Sequence, residues 1–136
     1  MAIARVLIVD DAVIWQDLLI ELLEQEPNLR TVDVASDGPT GVQKAKELQP
    51  DLVLLDLNLA ELNGIDVAQQ IRILSPTSKI LFVSVEGDPD IQRAALRAGG
   101  SGYILKKDVA SDLMPAIGAV LNGKKFISPQ IADCED

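Results

Sequence analysis

Aromatic residues make up only 3% of this 136-residue chain, although hydrophobic residues make up 48%. Its core must therefore be built from Leu, Ile, Val and Ala, which suit buried strands and amphipathic helices. Cysteine is nearly missing: Cys134 stands alone, so no internal disulfide can form, which fits a reducing compartment. Positive charge is scarce too. Against 12 basic residues stand 21 acidic ones, for a net charge of -9. That balance argues against direct contact with DNA or RNA, whose phosphates call for a positive surface. No apolar run approaches the roughly 20 residues of a membrane span. Met1 to Arg5 leads straight into a strand-like run without a basic segment and a long apolar stretch, so no signal peptide is expected. The expected location is cytoplasmic, with no membrane contact.

What is present is a regular alternation. The apolar runs are Val6-Leu7-Ile8-Val9, Thr31-Val32-Asp33-Val34, Leu52-Val53-Leu54-Leu55, Ile80-Leu81-Phe82-Val83 and Tyr103-Ile104-Leu105. The first, third and fourth are apolar throughout, as strands buried on both faces should be. The second is mixed and reads as nearer a sheet edge. Between the runs, apolar residues recur at helical spacing: Ile14, Leu18 and Leu22; Val42, Ala45 and Leu48; Val67, Ile71 and Leu74; Ile91, Ala95 and Ala98; and Leu113, Ala116, Ile117, Val120 and Leu121. Pro27-Asn28, Asp37-Gly38-Pro39, Pro50, Ser75-Pro76, Gly87-Asp88-Pro89 and Gly99-Gly100 separate the elements. Asp88-Pro89 suits the cap and first position of a helix.

The order βαβαβαβαβα predicts an α/β fold: a three-layer sandwich around a five-stranded parallel sheet with (βα)5 topology, flavodoxin-like. Residues 1–124 form the domain, and 125–136 read as a C-terminal tail or the start of a linker. In such sheets ligands sit beyond the carboxyl ends of the strands. There the sequence puts Asp10 and Asp11 after the first strand, and Asp56 after the third. Ser84, Val85 and Glu86 follow the fourth, and Lys106 the fifth.

Each residue alone has a plain reading. An aspartate after a strand is often a cap or turn former, a serine there a turn residue, and a lysine a solvated charge. Together they predict a pocket. Crowded carboxylates repel unless a cation joins them. Hard oxygen ligands suit Mg²⁺, and a nearby lysine can hold an oxygen of a phosphoryl group. Phosphoryl transfer needs mainly positioning and charge neutralisation, and a carboxylate is an accepted nucleophile for it. A hydrogen bond from Ser84 to the added group would move its loop and make a switch.

These residues resemble the receiver (response regulator) domain of two-component signalling over about residues 4 to 123. Val6-Leu7-Ile8-Val9-Asp10-Asp11 is similar to the family's first strand and acidic pair. Asp51-Leu52-Val53-Leu54-Leu55-Asp56-Leu57-Asn58 is similar to the acceptor strand, with Gly64 at the usual glycine position. Ser84 stands at the hydroxyl switch position, and Gly102-Tyr103-Ile104-Leu105-Lys106 is similar to the last strand with its switch aromatic and lysine. The resemblance implies that Asp56 accepts a phosphoryl group from a sensor histidine kinase, a phosphotransfer protein or a small phosphodonor. It implies Mg²⁺, for which Mn²⁺ can substitute, held by Asp11 and Asp56, by the Asn58 carbonyl, and by Asp10 mainly through water. Lys106 would contact the phosphoryl group, Ser84 and Tyr103 would rearrange, and the surface of the fourth helix, fifth strand and fifth helix would report the change, controlling a transcriptional output. Beyond this self-assisted transfer and a slow autodephosphorylation, no enzymatic turnover is implied.

Departures from the family pattern carry expectations of their own. Leu59-Ala60 replaces the common Met-Pro, which loosens the loop. Val85 replaces a small residue and, with Glu86, is expected to modulate access to Asp56; slower exchange with small donors should follow. Lys107-Asp108, where a proline is usual after the lysine, and Gly123-Lys124-Lys125-Phe126-Ile127-Ser128-Pro129 resemble receivers of the NarL/LuxR type, whose outputs are helix-turn-helix domains. The chain reads either as a stand-alone receiver or as part of a longer regulator. Ile91, Ala94, Ala95 and Ala98 make the fourth helix small and apolar, and suggest homodimerisation there on phosphorylation.

The competing readings are a phosphorylation-independent pseudo-receiver, a metal-dependent aspartyl-phosphate phosphatase and a nucleotide-binding flavodoxin-like protein. Pseudo-receivers usually lack pocket residues that this chain keeps. The phosphatase needs a D-x-D motif that Asp10-Asp11 does not supply. Asp37-Gly38-Pro39-Thr40-Gly41 is not a G-x-G-x-x-G phosphate cradle.

Overall fold

The structure is a computed structural model that describes residues 3–127. Elements alternate along the chain: β1 (Ala4–Val9), α1 (Val13–Glu24), β2 (Leu29–Ala35), α2 (Gly38–Leu48), β3 (Leu52–Leu55), α3 (Gly64–Leu74), β4 (Lys79–Ser84), α4 (Pro89–Arg97), β5 (Gly102–Leu105), α5 (Val109–Leu121) and β6 (Phe126–Ile127). The strands make one sheet in the order β2-β1-β3-β4-β5-β6, and every neighbouring pair is parallel. The order puts the mixed strand β2 at an edge, as its sequence suggested. The chain skips one residue of β2 where Val6 pairs with Thr31 and Leu7 with Asp33, leaving Val32 as a bulge.

Side chains of the inner strands alternate between two apolar layers. Leu7, Val9, Val53, Leu55, Phe82 and Tyr103 face one way and meet Val42 and Ala45 of α2, Val67 and Ile71 of α3, and Ala95 of α4. Val6, Ile8, Leu54, Leu81, Val83 and Ile104 face the other and meet Leu19 and Leu23 of α1 and Leu113, Ile117 and Val120 of α5. Burying one such Leu or Ile contributes about 1.5–3 kcal/mol, which is why the uninterrupted apolar strands belong in the middle. Asp37 caps α2 by accepting from Thr40 N at 2.7 Å, and Asp88 caps α4 by accepting from Asp90 N at 2.9 Å, with Pro89 at the first helical turn.

The sheet has six strands, not five. Phe126 and Ile127 extend it past β5, pairing with Gly102 and Tyr103. A two-residue strand carries no periodicity to read, and its apolar pair lay in what the sequence suggested was tail. Half-buried Phe126 and Ile127 cover the β5 edge, so the sheet continues beyond residue 124.

Two helical stripes are also turned. In α1 the buried residues are Gln16, Leu19 and Leu23, while Ile14 is 77% exposed. Exposed Asp17, Glu21 and Glu24 mark the outer side of α1 and Ile14 borders it, so the inner side is the one that carries Leu19 and Leu23. In α4, Gln92 is buried with Ala95 and Ala98, and Ile91 lies more exposed. Ala95 and Ala98 are thus packed inside, while Ile91 stays exposed and Ala94 half-buried, so part of the expected apolar surface remains outside.

Candidate functional site

The acidic residues gather because the parallel ladders end together. Asp10 N donates to Ala35 O at 3.0 Å and Asp56 N to Val9 O at 2.9 Å, so both stand one step past neighbouring strands at the same edge. Lys106 follows β5 at that edge and opens a short 3-10 turn before α5. Asp10, Asp56 and Lys106 are all buried, while Asp11 is exposed at the rim. One carboxylate oxygen from each of Asp10, Asp11 and Asp56 lies within 4.8 Å of the others.

Lys106 Nζ lies 2.9 Å from Asp10 Oδ2 and 3.3 Å from Asp56 Oδ2. It donates a hydrogen bond to Asp56. Asp10 Oδ2, by contrast, accepts no hydrogen bond although it is buried, and meets the ammonium as a charge contact only. The ammonium offsets part of the cost of burying that oxygen, and its missing hydrogen bond leaves room for a further cation there. The other Asp10 oxygen accepts from Ala12 N at 2.9 Å. Burial pushes the Asp56 carboxyl up from the usual aspartate range, and the Asp10 carboxylate adds to the push. The Lys106 ammonium and the Asn58 N–H, which donates to Asp56 Oδ1 at 3.3 Å, pull it back in part. A carboxylate held above its ordinary pKa by burial and a like charge gains from a cation. All-oxygen donors with an exposed side for water suit Mg²⁺ better than a softer metal. The donor set therefore fits that ion.

Gly64 shows why the loop after Asp56 has its shape. A Cβ there would lie 2.5 Å from Asp56 O and 2.7 Å from Leu57 Cα. Gly64 N donates to Leu57 O at 2.8 Å, so α3 begins directly against the backbone of Asp56 and Leu57.

Ser84 is fully buried, and its Oγ accepts from Glu86 N at 3.1 Å. Tyr103 is fully buried as well, stacked on Phe82 at 5.8 Å between centroids. Its hydroxyl donates to Glu86 O at 3.0 Å, and Gln92 Nε2 donates to the same oxygen at 2.8 Å. Burial pushes the Tyr103 phenol up to about 12, with the Ser84 and Gln92 side chains pulling the other way, so it stays a donor near neutrality. Ser84, Tyr103 and Gln92 thus all hold the segment Val85–Glu86–Gly87. Val85 itself is 69% exposed. It lines an open cleft with Gly87, Leu105 and Lys107 beside the pocket.

Of the strand-end residues of the sequence reading, Asp10, Asp11, Asp56 and Lys106 come together, while Ser84 at the end of β4 is engaged with Glu86. Three others were missed: Trp15, whose ring lies beside Lys106, Gln16, whose Nε2 donates to Asp10 O at 2.6 Å and Ser36 Oγ at 2.9 Å, and Gln92. The sequence carried no signal for the two glutamines, because each lies off the apolar stripe read for its helix and is buried only through the tertiary packing.

Comparison with known proteins agrees with this geometry. The family described as the response regulator receiver domain matches residues 6–118. The nitrate/nitrite response regulator protein NarL of Escherichia coli is 32% identical over 92% of this chain and 58% of its own length. The transcriptional regulatory protein LiaR of Bacillus subtilis is 33% identical over 94% of this chain and 61% of its own. The chain thus spans a little over half the length of these curated relatives. The crystal structure of a LuxR-family two-component response regulator from Aurantimonas superposes with a TM-score of 0.92 at 32% identity, over 97% of this chain and 94% of that one. The response regulator domain of Thermotoga maritima CheB gives 0.82 at 30% identity, over 88% and 97%. Among the described residues no helix is long and apolar enough to cross a membrane. An acidic pocket beyond a parallel sheet, a lysine across from it and matches along nearly the whole chain lead to one conclusion: the chain belongs to the response regulator receiver domain family.

Proposed function

We propose that this domain is a phosphorylation-dependent signalling switch with Asp56 as the phosphoacceptor. The observation that supports it most is the placement of Asp10, Asp11 and Asp56 around one point, with Lys106 Nζ between two of them. A carboxylate oxygen of Asp56 attacks phosphorus. The bond from phosphorus to the donor's nitrogen or oxygen breaks, and its electron pair leaves with the donor. Lys106 meets the negative oxygens of the transferred group. Asp11, Asp56 and the Asn58 carbonyl would hold Mg²⁺, with Asp10 mainly through water. Bound there, the ion would neutralise charge on the phosphoryl oxygens and on the carboxylates.

The Ser84 hydroxyl then turns from Glu86 N toward the new phosphoryl group. That releases one of the bonds on the Val85–Glu86–Gly87 segment, and Tyr103 and α4 follow. The α4–β5–α5 surface so altered would control a transcriptional output through a separate domain, in keeping with relatives named as transcriptional regulators. The phosphodonor would be a sensor histidine kinase or phosphotransfer protein. Residues 1–124 carry the switch, with β6 completing its sheet.

Intact mass after incubation with Mg²⁺ and acetyl phosphate tests the assignment. The parent gains one phosphoryl group and Asp56→Ala gains none. No gain in the parent, together with no beryllofluoride binding, would move the function to a phosphorylation-independent interaction module.

A further inference from the structure

Lys106 is held from a third side. Its Nζ lies 4.9 Å from the centroid of the Trp15 ring, within the roughly 6 Å at which a cation is drawn to an aromatic face. Lys106 is only 6% exposed, so little water screens that attraction. Trp15 lies in the first turn of α1, half-buried at the margin of the apolar layer that contains Leu19 and Leu23. The next residue, Gln16, donates to Asp10 O. One turn of α1 therefore grips both members of the Asp10–Lys106 pair: the acid by its backbone, the base by its ammonium.

We propose that Trp15 is a positioning residue for the acidic pocket, its indole face holding the Lys106 ammonium at the α1 side where it can receive a phosphoryl oxygen, and that its emission reports occupancy of the pocket. The proposal rests on the phosphoryl-accepting role of the pocket. Without the ring, the carboxylates alone set the position of the ammonium, and it competes more fully with a cation for Asp10 Oδ2 and Asp56. With the ring, part of its attraction points toward α1. A phosphoryl-like group that engages Lys106 changes the field at the indole. Trp15 is the only tryptophan of the chain, so intrinsic emission has a single source.

The test uses the full chain. Emission of the metal-free parent is compared with that of Lys106→Met, and each is then titrated with Mg²⁺ and beryllofluoride. The parent should differ from Lys106→Met before any addition, and only the parent should show a saturable change. Beryllofluoride affinity of Trp15→Phe and Trp15→Leu is measured by fluorine NMR, which needs no tryptophan. Trp15→Leu should bind about tenfold more weakly than the parent, and Trp15→Phe should fall between them, following the ranking of the rings as cation partners. Unfolding curves confirm that the variants remain folded. Identical emission in parent and Lys106→Met would overturn the contact. Parental affinity in Trp15→Leu, or equal losses in Leu and Phe, would overturn the positioning role. If the parent binds no beryllofluoride, it is the phosphoryl-accepting reading that fails, while the emission comparison still decides the contact.

Discussion

At the scale of the residue, Asp56 carries a conflict between function and stability. Its carboxyl is buried beside Asp10, and its pKa lies above the ordinary value of 3.8. The folded state therefore holds the proton more tightly than the unfolded chain does. Stability gained from this group is present at low pH and is lost as pH rises through the folded pKa. At neutral pH, without a cation, the ionised Asp56 works against folding. Asp56→Asn should raise the midpoint of thermal unfolding of the metal-free protein at pH 7. The gain should shrink as the pH is lowered toward the ordinary aspartate value of 3.8, because the folded carboxyl takes up its proton above it. A lower midpoint for Asp56→Asn at pH 7 would contradict this account. The same residue shows how far sequence could be read. Ending an apolar run, it was visible as a strand-end carboxylate. Its altered acidity was not, because that depends first on burial in the folded chain and then on Asp10 and Lys106, each 46 or more positions away along the chain.

At the scale of the element, the segment from β4 to α4 is held by few bonds. Glu86 O accepts from both Tyr103 and Gln92, and Glu86 N donates to Ser84. Gln92 sits on the buried side of α4 and ties that helix to the loop before it. Gln92→Ala should remove one of two donors to Glu86 O, a loss of about 0.5–1.5 kcal/mol. Amide hydrogen exchange should quicken at Val85, Glu86 and Gly87 while the inner strands β1 and β3 keep their protection. Unchanged exchange in the loop would remove Gln92 from the switch. The breakers Asp88 and Pro89 made the start of α4 legible. Which face of the helix went inward was not, since Ile91 outranks Gln92 in apolarity and yet lies further out.

At the scale of the whole molecule, a net charge of -9 is drawn partly into one pocket by the topology. A ligand that binds only the folded state stabilises it by mass action. Mg²⁺ at tenfold over its dissociation constant should add about 1.4 kcal/mol to the unfolding free energy. Asp11→Ala should lose most of that gain, because Asp11 supplies the exposed oxygen of the cluster while contributing little to the core. Equal stabilisation of both proteins by Mg²⁺, measured in denaturant titrations, would place the cation elsewhere.

Residue order alone determined the alternation of strands and helices, because apolar runs and helical spacing are local properties. It determined the strand-end residues for the same reason: each stands next to its own strand. The tertiary structure decided what depends on distant neighbours. It put Val9, Ala35 and Asp56 side by side, brought Lys106 between two carboxylates, and laid Trp15 against Lys106. It added β6, whose two residues are a strand only because the β5 edge offers them hydrogen bonds. It also selected the inner faces of α1 and α4, where buried Gln16 and Gln92 find carbonyl partners outside their own helices, Asp10 O and Glu86 O.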